Sequence, residues 1–80
     1  MLIFDSFASM ERASEFARHV EATFGHEALV FDSQEESDEV DPFPFQLFPP
    51  IVLVERDGSY SDEEAIETSV LQFGGKFAGT

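Results

Sequence analysis

The chain has 80 residues, 42% of them hydrophobic, with ten Phe and no Cys; 17 Asp and Glu face three Arg and one Lys, a formal net charge of −13. The missing cysteines exclude disulfide staples, thiolate metal sites and a Cys nucleophile. The apolar content separates the chain from acidic disordered sequences, and the charge sets it against nucleic-acid phosphates and anionic membranes.

The length predicts one domain spanning 1–80, able to bury roughly 60% of its unfolded surface. Leu2-Ile3-Phe4 is a short apolar run and predicts the first strand. The N-terminus lacks a basic n-region and no apolar stretch is long enough to span a bilayer. Neither a signal peptide nor a membrane helix is therefore expected, and the expected location is the cytoplasm.

Ser6 or Ser9 can cap the helix that follows. From Met10 to Phe24 the residues Ala13, Phe16, Ala17, Val20 and Phe24 recur at helical spacing. Glu15 is positioned to pair with Arg18 or His19, and Arg18 with Glu21. Gly25 is a natural helix stop. Ala28-Leu29-Val30-Phe31 predicts the second strand.

Ser33 to Pro50 then reads as a long loop of 18 residues, acidic at its start and rich in Pro and Phe at its end. Loops of this length are generally functional or disordered. Ile51-Val52-Leu53-Val54, four apolar β-formers in a row, predicts a central strand buried on both faces. Arg56-Asp57-Gly58-Ser59 reads as a turn. Ser61-Asp62-Glu63-Glu64 has the capping-box pattern, and the helix it opens is expected to run to about Phe73 with Ile66, Val70 and Phe73 facing the core. Gly74-Gly75 ends that helix, and Lys76-Phe77-Ala78-Gly79 predicts a short last strand.

The order β-α-β-β-α-β is that of a ferredoxin-like α+β fold. Two right-handed crossover units interleave into a four-stranded antiparallel sheet, with both helices on one face of a two-layer sandwich.

No catalytic constellation is present. His19 and His26 fit no ligand or triad pattern and read as surface histidines. The acidic segment lacks the Gly that an EF-hand loop requires, and no phosphate-binding Gly motif occurs. No metal and no cofactor is expected. What stands out is charge beside aromatics. Glu35, Glu36, Asp38, Glu39 and Asp41, joined by Asp32, lead into Phe43 and Phe45, which are set among prolines that restrict the backbone. Aromatics beside charge are the usual composition of an interface hot spot, and restricted segments lose less entropy on binding. Phe48 is expected to fold back over the open edge of the core. On the last helix, Glu67 lies i+4 from Glu63, a like-charge spacing that disfavours the helix, and Leu71 falls among the acids. Glu63, Glu67 and Leu71 are therefore a second candidate contact set.

From Met10 onward the chain resembles the ribonuclease E inhibitor family typified by RraB. Four features support the likeness: the helix-ending Phe24-Gly25; the acidic Asp32-Ser33-Gln34-Glu35-Glu36 after the second strand; the aliphatic Ile51-Val52-Leu53-Val54 before an acid-capped helix; and the closing Phe73-Gly74-Gly75-Lys76-Phe77-Ala78-Gly79-Thr80. That family's Tyr-Asp-Gly-Trp stands here as Phe77-Ala78-Gly79-Thr80. The resemblance implies a ferredoxin-like, non-catalytic acidic regulator of a nuclease. The charge pattern independently suggests a protein-binding module that inhibits or modulates a basic, nucleic-acid-processing partner. A phage-type nucleic-acid mimic (of the anti-restriction or anti-CRISPR class) and a salt-adapted structural domain are the alternatives.

Overall fold

The computed structural model describes residues 1–55 and 62–80. The expected Arg56–Ser59 turn and the Ser61 cap lie outside the described residues.

Four strands form one sheet: β1 (Leu2–Asp5), β2 (Ala28–Phe31), β3 (Ile51–Val54) and β4 (Lys76–Gly79). Their order is β2-β3-β1-β4, and every neighbouring pair is antiparallel. β1 and β2 both oppose β3, so they run parallel to each other. β3 and β4 are related in the same way across β1. The protein is thus a small α+β structure whose middle strands, β3 and β1, are the most apolar.

α1 (Met10–Phe24) follows from its sequence. The Ser9 hydroxyl accepts the Arg12 N–H, Ala13, Phe16, Ala17 and Val20 are buried, and Gly25 ends the helix at φ 74°. At that left-handed φ most side chains would be strained. The charge pairing differs from expectation: Arg12 Nη1 meets Glu15 Oε2 at 2.7 Å, Arg12 Nη2 donates to Gln72 O at 2.9 Å, and the guanidinium sits 5.5 Å from the Phe73 ring centre. Arg12 therefore fastens α1 to the chain's last helical turn.

The Ser33–Pro50 stretch is not loop throughout. Gln34–Val40 forms a helix, α2, capped by the Ser33 hydroxyl, which accepts the Glu36 N–H. Glu35 and Glu36 in its first turn suit the positive end of the helix dipole. The next helix, α3 (Glu63–Ser69), has Asp62 at its N-cap position without a side-chain cap bond, and tightens into a 3₁₀ turn, Val70–Phe73. Gly74 then reverses the chain at φ 80°.

Strand alternation divides the core. Leu2, Phe4, Val52 and Val54 pack against α1, Ile66 of α3 and Val70. Phe16 is the hub of that side, with ring centres 5.0 Å from Phe4, 5.5 Å from Phe7 and 5.7 Å from Phe73. Ile3, Ile51 and Leu53 point the other way, where they meet buried Leu47, with Phe31, Phe43 and Ala78 around them. The expected two-layer sandwich is therefore corrected. A second apolar face exists because β1 and β3 are apolar at every position up to Asp5, and the segment after α2 covers it.

Candidate functional site

The second face is built from β1 outward. Ile3 is buried, and the next residue on that side, Asp5, is only 7% exposed. A carboxylate so placed requires hydrogen-bond partners. Asp5 Oδ2 accepts the backbone N–H of Phe48 at 2.9 Å, and Oδ1 accepts the Ser6 hydroxyl at 3.2 Å. Ser6 adopts φ 65°, and its N–H reaches Phe48 O at 2.7 Å. This pair of links ties the covering segment to the end of β1.

α2 holds the same segment from the opposite end. Gln34 Nε2 donates to Phe45 O, and Gln34 Oε1 accepts the Leu47 N–H, both at 2.8 Å. Asp38 Oδ1 accepts the Phe43 N–H at 3.2 Å. Buried Ser37 donates its hydroxyl to Gln34 O within the helix. Asp41 Oδ2 lies 3.2 Å from the Met1 ammonium. The acidic helix and the aromatic run are thus one hydrogen-bonded unit.

Within that unit the candidate residues divide by role. Glu35, Glu36 and Glu39 are exposed, Asp38 and Asp41 partly so. Phe43 is half-buried over β4, its ring 3.1 Å from where a Cβ on Gly79 would stand. Phe45 packs its ring edge-on to Phe43, with centres 5.8 Å apart, yet is 71% exposed. Phe48 is 58% exposed. The expectation that Phe48 folds back is overturned: its backbone is held by Asp5 and Ser6 while the side chain faces out, and Leu47 fills the apolar position instead.

The second candidate set lies elsewhere. Glu63, Glu67 and Leu71 belong to α3 and its 3₁₀ extension, which pack on the α1 side of the sheet. Leu71 is 68% exposed. The structure therefore does not unite these three with the residues of 35–45.

Neither histidine is a plain surface residue. His19 is half-buried beside Phe73, ring centres 5.3 Å apart. His26 has a side chain only 10% exposed and meets Asp62 Oδ2 at 3.1 Å, joining the start of β2 to the start of α3. Among the described residues no group of three or more His, Asp or Glu is arranged to hold a metal ion, and no helix is long and apolar enough to cross a membrane.

Asp5 and Gln34 are the residues that the sequence did not single out, and Phe48 was expected on the inside. For Asp5 a signal existed: an acid ending a fully apolar strand must either reach water or find donors. Gln34 carries no comparable mark. Comparison of the chain with protein-family models, with curated proteins and with solved structures gives no match.

Proposed function

We propose that this is a non-enzymatic, cytoplasmic module that binds a basic protein surface and thereby modulates or inhibits a nucleic-acid-processing partner. One observation supports this above all: α2 and the aromatic segment are a single hydrogen-bonded unit, in which exposed carboxylates stand beside exposed Phe45 and Phe48. Solvent-exposed Phe is costly to keep unless something covers it, and rings beside charge suit a protein interface better than a phosphate-binding groove. The sheet order, with two interleaved crossovers and with α1 and α3 on one face, suits a ferredoxin-like plan in which α2 is an insertion. The resemblance to the RraB family supplies the partner class, a nuclease or another nucleic-acid-binding protein.

The test is affinity capture on the immobilised protein at low and at high salt. Basic nucleic-acid-binding proteins should be retained at low salt and released at high salt. A variant with Glu35→Gln, Glu36→Gln, Asp38→Asn and Glu39→Gln should lose them. Retention that ignores both salt and these substitutions would refute the proposal.

A further inference from the structure

A groove of about 370 Å³ opens between the aromatic segment and β4. Phe43, Phe45 and Phe48 line it from the segment, and Asp5 from β1. From β4 it is lined by Lys76, Phe77 and Ala78. Three consecutive strand residues point alternately to opposite faces. A groove that touches all three therefore lies along the strand's edge rather than on one face. Among the described residues that edge is open, because β4 is the last strand of the sheet and pairs with β1 alone.

An open edge beside an apolar groove is the arrangement used for strand addition. Main-chain hydrogen bonds supply affinity, and pockets for alternate side chains supply specificity. The charge selects the occupant. α2, which carries the exposed Glu35, Glu36 and Glu39, is bonded directly to the segment that walls the groove, through Gln34 and Asp38. A second copy of this chain would bring another charge of −13 to the same place. At the floor, Lys76 faces Asp5 in strand register, so the floor itself is nearly balanced. Cationic side chains of the occupant are drawn toward the acids of α2, and an apolar one to the rings.

We infer that the free edge of β4 receives an extended basic segment of the partner protein as a fifth strand, with an apolar side chain seated among Phe43, Phe45 and Phe48. This rests on the protein-binding reading above and specifies how the partner engages.

Fluorescence anisotropy with three labelled decapeptides tests it. The first alternates Lys with Leu, the second has the same sequence with alternate backbone amides N-methylated, and the third alternates Lys with Ser. The Lys-Leu peptide should bind at least about tenfold more tightly than either of the others, and the Phe45→Ala, Phe48→Ala double variant should weaken it to a similar degree. Leu71→Ala should leave it unchanged. Equal binding of the N-methylated peptide would overturn strand addition. Equal binding of the Lys-Ser peptide would overturn the groove while leaving the acidic reading intact. No binding of any peptide would overturn the inference, whereas affinity capture would still test the parent proposal. Lys-Leu binding that ignored salt and the four α2 charge substitutions would sustain the groove and remove the charge-driven reading.

Discussion

The carboxylate of Asp5 accepts the backbone N–H of Phe48 at 2.9 Å, across 43 residues of chain, at a position only 7% exposed. This bond joins the last residue of β1 to the segment that covers the second face of the sheet. Because Phe48's main chain is spoken for there, its ring is left to face outward. The same contact thus secures the fold and sets one wall of the groove.

Removing that acceptor deprives a part-buried N–H of its partner, which costs about 0.5–1.5 kcal/mol. Asp5→Ala should lower stability by that amount in urea unfolding. Asp5→Asn, which retains an acceptor oxygen, should cost less. Amide exchange at Phe48 should quicken more in the Ala variant than in the Asn variant. An Ala variant as stable as the parent, with Phe48 exchange unchanged, would show that the bond holds nothing.

The α1 side of the sheet depends on Phe16, fully buried among Phe4, Phe7 and Phe73. Phe16→Ala should cost about 3–5 kcal/mol, a large share of a small domain's stability. An unchanged denaturation midpoint would contradict the packing described.

Gly74 and Gly75 serve different ends. Gly74 takes the left-handed turn at φ 80° with open space around it. Gly75 is buried, and a Cβ there would meet the Phe7 ring at 2.5 Å. Gly75→Ala should therefore destabilise by about 1–3 kcal/mol through overpacking. In a double-mutant cycle, Phe7→Leu should restore part of that loss, since the smaller side chain vacates the ring's place. Strictly additive effects would mean that the two residues do not compete for space.

Most of the fold was legible because its elements have a period. The apolar stripe of α1, the Gly25 stop and the continuous apolar run of β3 each follow from spacing. α2 was not legible, since Gln34-Glu35-Glu36-Ser37-Asp38-Glu39-Val40 has no apolar stripe to reveal a helix. It is held by the Ser33 cap and by Gln34 and Asp38 bonding to a segment that follows it, and such bonds leave no trace in hydropathy. The candidate site was half legible. Composition identified the acids and Phe45, but which of Leu47 and Phe48 turns inward depends on where Asp5 fixes the backbone. His26 was misread for a similar reason, because its partner Asp62 lies 36 residues away.

Net charge should make stability depend on salt. Like charges repel across a small surface, and added salt screens them, with a Debye length of about 10 Å at 0.1 M. With a charge of −13, the melting temperature should rise as sodium chloride is added from near zero. The charge-neutral α2 variant should rise less. A melting temperature that stays flat or falls would mean that repulsion is not the dominant electrostatic cost.

The partner complex should separate charge from rings in its kinetics. Glu35, Glu36 and Glu39 are exposed on α2, where they steer approach more than they hold contact. Neutralising them together with Asp38 should slow association and flatten its salt dependence, with dissociation little changed. Phe45 and Phe48 are the exposed rings, whereas Phe43 is packed over Gly79 and Ala78 and belongs to the scaffold. Phe45→Ala with Phe48→Ala should therefore speed dissociation while leaving association and folding nearly intact, because truncated anchors act mainly on the off-rate. Phe43→Ala should instead destabilise the free protein. Surface-plasmon measurements on a captured partner, with a melting curve for each variant, distinguish these effects. If the double Phe variant dissociates as slowly as the parent while the charge variant fails to bind, carboxylates alone make the contact, and the protein acts as a phosphate mimic. If both variants bind as the parent does, the site lies elsewhere, and the surface of half-buried Glu67 and exposed Leu71, on α3 and its 3₁₀ extension, becomes the next to probe.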